Sequence, residues 1–249
     1  MRCVALIPAR YGSTRLPGKA LAQVAGRPLI QRVWEQAKEI PGLDGIWVAT
    51  DDERIRDCVT AFGGQVLMTR PDHPSGTDRL AEAAGLLGLG PFDLVVNIQG
   101  DQPLFPPQVV TALVALFEQD CSLVMATPAR RFTDPALAAD PNVVKVVWDY
   151  RGRALYFSRS PIPCWRDGER PVYFRHLGIY VYRVGFLQDF VSLPPGRLEQ
   201  AEKLEQLRAL EYGYPIRVLE TEGETLEVDT PADLERAAAW FRAREAAET

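Results

Sequence analysis

The chain has 249 residues, of which 47% are hydrophobic and 24% are charged, as in an ordinary globular protein. Its 28 basic and 33 acidic residues give a formal charge of −5, which argues against a nucleic-acid partner, because such binding needs a basic excess. No apolar run approaches the ~20 residues of a membrane span, and the four cysteines are too scattered for a zinc site, so we expect a cytoplasmic protein with free thiols and no membrane partner.

The first half of the chain alternates short apolar runs with segments whose apolar residues recur at helical spacing. This pattern predicts buried strands separated by amphipathic helices, and therefore βαβ units around a mostly parallel sheet. We predict an α/β fold, a three-layer α/β/α sandwich with a mostly parallel central sheet. The predicted strands are 3–7, 46–50, 65–68, 94–98 and 122–126, and the predicted helices are 28–40, one starting after Asp51 or Asp52, 77–89 and 107–118.

The pattern becomes less regular in the second half. Pro-rich connections separate the apolar runs, and we interpret 129–182 as a smaller insertion within a single domain that spans 1–249. The predicted strands are 143–148, 154–157, 178–182 and 216–219, and the predicted helices are 184–192, 199–212 and one that begins at Pro231.

The segment 8–19, PARYGSTRLPGK, follows the first predicted strand and carries three cations, two glycines and two hydroxyl groups. Glycines let the backbone approach an anion, while Arg and Lys bond phosphate oxygens. The segment is not a common phosphate loop, because five residues separate Gly12 from Gly18 and Ala20 follows Lys19. A solvated cationic turn is the alternative, but three cations at a strand's carboxyl end favour a polyphosphate site.

Two acids are candidates for magnesium, which commonly takes one or two carboxylates together with phosphate oxygens. Asp101 follows the predicted strand 94–98 and is the better candidate. Asp229 is the second, although Thr230 and Asp233 already form a helix start of which Asp229 could simply be part. The residues alone leave that choice open.

Other polar residues have ordinary structural interpretations when taken alone. Ser75 is suited to cap a helix, Glu205 and Gln206 fall on a helix where polar residues usually face water, and His176 precedes an apolar strand. There is no Gly-x-Ser-x-Gly motif, and the two histidines do not have metalloprotease spacing.

The segment 7–19 resembles the signature loop of the 3-deoxy-manno-octulosonate (Kdo) cytidylyltransferases, or CMP-Kdo synthetases. One departure is Gln102, where the family usually has glutamate, so a negative charge is missing beside the expected metal. Further segments match the family in order, at 49–52, 75–79, 97–101, 142–145, 156–159, 176–180, 204–208 and 228–231.

The resemblance implies a nucleotide-diphospho-sugar transferase-like fold and the transfer of CMP from CTP to the anomeric hydroxyl of Kdo, for lipopolysaccharide synthesis. It also implies Mg²⁺ as cofactor and a homodimer formed through the insertion, which would serve sugar binding as well. The implied site residues are catalytic Arg15, Lys19 and Asp101; nucleotide-binding Ala9, Arg10, Ser13, Lys19, Ser75, Gly76 and Arg79; sugar-binding Gln99, Arg159, His176, Glu205 and Gln206; and metal-binding Asp101 and Asp229.

Three other functions compete with this one. The first is a cytidylyltransferase for another acidic sugar, of sialic or amino-substituted type. The second is a sugar-nucleotide-dependent glycosyltransferase, which would usually carry an Asp-x-Asp motif that no predicted strand end here shows. The third is a non-catalytic nucleotide sensor, which the combination of Lys19, Arg15 and Asp101 disfavours.

Overall fold

The computed structural model describes residues 1–12, 16–169 and 171–247. None of the helices in these ranges combines the length and apolar character that a membrane crossing requires. The strands are β1 Cys3–Ala9, β2 Gln23–Val24, β3 Arg27–Pro28, β4 Gly45–Thr50, β5 Gln65–Met68, β6 Leu94–Asn97, β7 Met125–Phe132, β8 Lys145–Trp148, β9 Ala154–Ser158, β10 Tyr173–His176, β11 Tyr180–Arg183 and β12 Ile216–Thr221. The helices are α1 Leu29–Lys38, α2 Glu53–Ala61, α3 Gly76–Leu86, α4 Pro107–Gln119, α5 Pro135–Ala139, α6 Val184–Ser192, α7 Arg197–Glu202, α8 Gln206–Glu211 and α9 Pro231–Ala247, with a 3₁₀ turn at Lys19–Leu21.

One large mixed sheet forms the middle layer. Its strand order is β5-β4-β1-β6-β11-β7-β10-β8-β9, and β12 also pairs with β7. Strands β5, β4, β1 and β6 are parallel to one another, and β7, β12 and β8 run in the same direction, whereas β11, β10 and β9 run the opposite way. The prediction of an α/β fold with mostly parallel strands is confirmed.

The side chains of β1 point alternately to the two faces of the sheet, which explains why helices cover both faces. Its odd-numbered residues, such as Ala5 and Ile7, pack in the same core as α1, α2 and α4. Val4 and Leu6 point the other way and pack in a second core with α3, α6 and α8. Because successive side chains of a strand point to opposite faces, one continuous apolar strand supports both helical layers.

The second half of the chain departs from the predicted elements in several places. One is the short helix α5, which the sequence pattern did not predict. The predicted helix 199–212 is two helices, α7 and α8, because Lys203 adopts a left-handed conformation with φ 53° and ψ 47° that ends α7. The strand β7 continues to Phe132 and pairs with β10, which the sequence pattern did not predict. Charged and polar residues are frequent in the last two regions, so the apolar pattern there is weak.

A third apolar cluster fixes the chain just before α9. Val228 is buried in this cluster with residues of α9 and of the β2–β3 hairpin, including Val24 and Phe241. Its backbone N–H donates to the carbonyl of Asp101 at 2.9 Å. Residues that are far apart in sequence therefore meet at the carboxyl end of β6.

Gly100 allows the loop after β6 to approach the end of β1 closely. A Cβ atom at Gly100 would lie 2.8 Å from the carbonyl oxygen of Pro8, closer than real Cβ atoms come to backbone. By contrast, a Cβ at Gly85 within α3 would meet nothing within 4 Å. The two glycines therefore form a matched pair for substitution.

We predict that Gly100→Ala lowers the free energy of unfolding by about 1–3 kcal/mol, because two rigid backbone segments must move apart. Gly85→Ala should instead raise it by up to about 1 kcal/mol, because alanine favours a helix interior. Urea unfolding measures both changes. Equal effects of the two substitutions would show that Gly100 is not needed for the close approach.

Candidate active site

A cavity of about 330 Å³ opens at the carboxyl ends of β1 and β6. This is where ligands of open α/β sheets bind. Most of its wall comes from the loops after these strands and from the start of α3. The predicted site residues that line it are Ala9, Arg10, Lys19, Ser75, Gly76, Arg79, Gln99, Asp101 and Asp229.

The loop after β1 is closed by contacts between its two ends. The N–H of Gly18 donates to the carbonyl of Tyr11 at 3.3 Å, and Gly18 has the left-handed φ of 66° that this turn requires. The guanidinium of Arg54 lies 3.3 Å from the centre of the Tyr11 ring. Lys19 then begins a 3₁₀ turn. Ser13 and Arg15, predicted for nucleotide binding and catalysis, lie outside the described residues.

The Lys19 ammonium joins the two predicted metal ligands. Its Nζ atom is 2.5 Å from Oδ2 of Asp101 and 3.1 Å from Oδ1 of Asp229. All three side chains are only partly exposed, so their charges are less screened than on an open surface. The structure thus places a cation against two carboxylates that lie 128 residues apart in the sequence.

The contacts at the start of α9 show where the Asp229 side chain lies. The Asp233 carboxylate accepts hydrogen bonds from the backbone N–H groups of Asp229 and Thr230, and the Thr230 hydroxyl accepts from the N–H of Asp233. This is a complete capping arrangement without the Asp229 side chain. The Asp229 carboxylate instead accepts from Lys19 at the cavity.

The start of α3 forms a second wall. The Ser75 hydroxyl accepts from the N–H groups of Thr77 and Asp78 and so caps the helix, as its residue type suggested. Arg79 is buried and forms an ion pair of 2.9 Å with Asp51, while it donates to the Thr69 hydroxyl. These contacts hold α3 against the ends of β4 and β5.

Two predicted sugar-binding residues, Glu205 and Gln206, lie next to this wall. The Thr77 hydroxyl donates to Oε2 of Glu205 at 2.5 Å. Burial raises the pKa of the Glu205 carboxyl, and the Thr77 hydrogen bond acts in the opposite direction. Gln206 is buried, and its Nε2 has no hydrogen-bond partner among the described residues, so it has a donor to offer a ligand.

His176 and Gln99 both lie near the chain segment between β10 and β11. The His176 ring packs between those of Phe157 and Tyr180, with centroids 5.1 and 5.3 Å away, and its Nε2 lies 3.0 Å from the Thr127 hydroxyl. Gln99 donates to the carbonyl of Gly178 at 3.3 Å. Burial, with help from the positive charge of Arg175, lowers the pKa of His176 to about 3.

Arg159 makes contacts that its predicted sugar-binding role did not include. Its guanidinium donates to the backbone carbonyls of Glu202, Pro141 and Lys203 at 2.7, 2.8 and 3.4 Å. These contacts fix the turn between α7 and α8, which leads directly into Glu205. A sugar contact by Arg159 stays a prediction.

Sequence reasoning missed several residues around the cavity. His73 lines the cavity and contacts Glu82 of α3 through its Nε2 atom.

Glu227 lies near Gln102, whose Nε2 is 3.4 Å from Oε1 of Glu227. Arg175 Nη2 is 3.3 Å from the other carboxylate oxygen, Oε2. The alternation Glu-Val-Asp at 227–229 was the available signal, because it puts two acids on one side of an extended segment.

Burial raises the pKa of Glu227. The positive charge of Arg175 opposes this shift, whereas Asp101 and Asp229 add to it. Glu227 therefore lies within the electrostatic field of the two predicted metal ligands, although no sequence motif singled it out.

Comparison with known proteins identifies the family. The model of a family described as cytidylyltransferase matches residues 4–221, which include nearly all of β1, the whole of β6 and the wall of the cavity around Ser75. This chain belongs to the cytidylyltransferase family. The resemblance noted in the sequence is thereby confirmed, and the cavity is the candidate active site of a cytidylyltransferase.

Individual relatives extend over almost the whole length of this cytidylyltransferase. A 3-deoxy-manno-octulosonate cytidylyltransferase of Syntrophobacter fumaroxidans is 55% identical over 239 residues, 94% of this chain and 95% of the relative. An 8-amino-3,8-dideoxy-manno-octulosonate cytidylyltransferase of Shewanella sp. W3-18-1 is 52% identical and covers 95% and 97%. A solved CMP:2-keto-3-deoxy-manno-octonic acid synthetase complexed with CTP has a TM-score of 0.93 at 46% identity, covering 98% of this chain and 100% of the other.

The low pKa of His176 predicts an acid-sensitive fold. Neutral His176 favours the folded state fully above its ordinary pKa of 6.5, and this contribution is lost as the pH falls from 6.5 towards 3. We predict that the wild type loses on the order of 2 kcal/mol more unfolding free energy between pH 7 and 5 than His176→Gln does. Urea unfolding at the two pH values measures the difference. Parallel pH profiles would show that His176 does not titrate differently in the folded state.

Proposed function

We propose that this chain transfers CMP from CTP to the anomeric hydroxyl of Kdo and releases pyrophosphate, as a step of lipopolysaccharide synthesis. The observation that carries the proposal is the meeting of Lys19, Asp101 and Asp229 in one cavity at the carboxyl ends of β1 and β6. A nucleotidyl transfer needs cations on one side of a triphosphate and metal-holding carboxylates on the other. The names of the similar proteins support CTP and Kdo as the substrates.

The residues present fit a magnesium ion. Asp101 and Asp229 already bring oxygens of two carboxylates within 2.5 and 3.1 Å of one cationic atom, Lys19 Nζ. Magnesium commonly uses one or two carboxylates and completes its coordination with phosphate oxygens and water. We propose that Asp101 and Asp229 hold the ion, which when bound would neutralise charge on the triphosphate.

The chain itself contributes positioning and positive charge. Arg10 and Lys19 line the cavity and provide charge-assisted donors for phosphate oxygens. The capped start of α3 presents Ser75 and Gly76 on the opposite wall, where a helix N-terminus favours an anion. Held in place, the sugar hydroxyl would attack the α-phosphorus and pyrophosphate would leave, so orientation and electrostatics carry the reaction without a covalent enzyme intermediate.

The polar groups beside the start of α3 would recognise the sugar. Glu205 offers carboxylate oxygens, and the buried Gln206 offers an unused N–H group. Kdo carries a carboxylate and several hydroxyls, which need both acceptors and donors. The predicted roles of His176 and Gln99 in sugar binding belong to the same proposal, as do cytoplasmic location and a homodimer formed through 129–182.

An amino-substituted sugar is the second candidate substrate. Relatives named for 8-amino-3,8-dideoxy-manno-octulosonate are 52% identical to this chain, close to the 55% of a relative named for Kdo. Identity of this order does not separate the two sugars. The two differ only in an amine that replaces one hydroxyl, so direct competition between them decides the question.

We expect pyrophosphate release when the protein is incubated with CTP, Mg²⁺ and Kdo, because Lys19 and the two carboxylates proposed to act on the triphosphate line one cavity. A coupled pyrophosphate assay measures the rate, with UTP, ATP and GTP as nucleotide controls. The 8-amino sugar is run in parallel at equal concentration. A larger kcat/KM for the amino sugar would assign it as the substrate, and no release with either sugar would contradict the proposal.

We predict that Asp101→Asn lowers kcat by at least about a hundredfold, because the amide would hold less tightly the Mg²⁺ that offsets the charge developing on the phosphates. Asp189→Asn, at an exposed position on α6, is the matched control and should retain the wild-type rate. Circular dichroism checks that both variants are folded. A near-normal kcat for Asp101→Asn would remove this residue from the metal site.

A further inference from the structure

Gln102 is the position at which this chain departs from the family pattern, and its surroundings are unusual. The residue is fully buried at 0% exposure. Its Nε2 lies 3.4 Å from Oε1 of Glu227, and its Oε1 has no hydrogen-bond partner among the described residues. A buried acceptor without a donor is costly, so this oxygen indicates a ligand that carries hydrogen-bond donors.

Glu227 lies on the same chain segment as one of the predicted metal ligands, Asp229. It lies two residues before Asp229, and Val228 between them is buried in the core on the other side. The backbone N–H of Val228 donates to the carbonyl of Asp101 at 2.9 Å, so this segment runs beside the loop that carries Asp101. Glu227, the acid to which Gln102 donates, therefore lies on a segment that carries Asp229 and is hydrogen-bonded to the loop of Asp101.

The amide at 102 and the acid at 227 are complementary. Two carboxylates 3.4 Å apart would repel each other, whereas the neutral amide of Gln102 donates to Glu227. The negative charge that a glutamate at 102 would supply is thus present on the neighbouring segment.

We propose that Glu227 supplies the negative charge missing at position 102, and that Gln102 and Glu227 together help to hold the hydrated magnesium ion bound by Asp101 and Asp229. This inference rests on the proposed function, because it concerns the same metal site. Groups just outside the ligands of a metal commonly change its affinity by 10–100-fold, about the range expected here.

The effect of removing Arg175 distinguishes this role of Glu227 from a purely structural one. If Glu227 served only as the ion-pair partner of Arg175, at 3.3 Å, removing either residue would have the same effect. If Glu227 acts through its charge at the metal, removing Arg175 should weaken metal binding less than removing Glu227 does, because Arg175 stabilises that charge without carrying it. The two variants therefore separate the two roles.

The experiment measures Mn²⁺ binding to the full chain with CTP by electron paramagnetic resonance, with Mn²⁺ as the probe for Mg²⁺. We expect Glu227→Gln to weaken Mn²⁺ binding about tenfold or more. We expect Arg175→Gln to weaken it clearly less than Glu227→Gln does. The exchanged variant Gln102→Glu/Glu227→Gln should recover wild-type affinity to within about a factor of three, because the charge returns on the other segment.

Circular dichroism and urea unfolding confirm that each variant is folded before its affinity is compared. Wild-type affinity in Glu227→Gln, equal weakening in Arg175→Gln, or no recovery in the exchanged variant would each overturn the inference. Asp101→Asn tests the proposed metal site separately. Loss of Mn²⁺ binding in Asp101→Asn with none in Glu227→Gln contradicts the inference alone, whereas unchanged binding in both contradicts the metal site itself.

Discussion

The contact between the Lys19 ammonium and the carboxylates of Asp101 and Asp229 is the interaction on which the site depends. It joins three loops that the sheet brings to one edge: the turn after β1, the turn after β6 and the start of α9. Two carboxylates this close are unfavourable without a cation nearby. Lys19 provides that charge in the structure, and the same pair is suited to a divalent ion when a triphosphate engages the lysine.

The surrounding fold keeps this arrangement in place through close packing and buried contacts. Gly100 lets the loop that carries Asp101 lie against Pro8, and Val228 anchors the segment that carries Asp229. The buried Arg79 ties α3 to the strand ends through Asp51. Charged groups that face a ligand are thus mounted on rigid elements, which preserves their spacing when charge develops in a reaction.

Much of this could be predicted from the sequence, for identifiable physical reasons. The short apolar run of β5 and the helical apolar spacing of α6 both have clear ends, and their predicted bounds agree with the structure. Lys19 and Asp101 were found because parallel strands place their ligands at the carboxyl ends. The roles of Glu205 and Gln206 were implied only by resemblance, since polar residues on a helix usually face water.

Other features could not be predicted because they arise from contacts distant in sequence. The break at Lys203 depends on a left-handed residue that is not glycine, and the polar strand β10 is recognisable only through its pairing with β7. Glu227 carries no motif and becomes significant only beside Gln102. Whether the Asp229 side chain caps α9 or faces the cavity depends on where it points, which sequence spacing does not determine.

A double-mutant cycle on the turnover rate tests the central claim most directly, with Asp101→Asn, Asp229→Asn and the combined variant. If the two carboxylates act as a unit on one cation, the combined variant should be about as slow as the slower single variant, because either loss already disables the unit. Rate losses that multiply would mean that the two acids act independently, and would contradict the shared site on which this account is built.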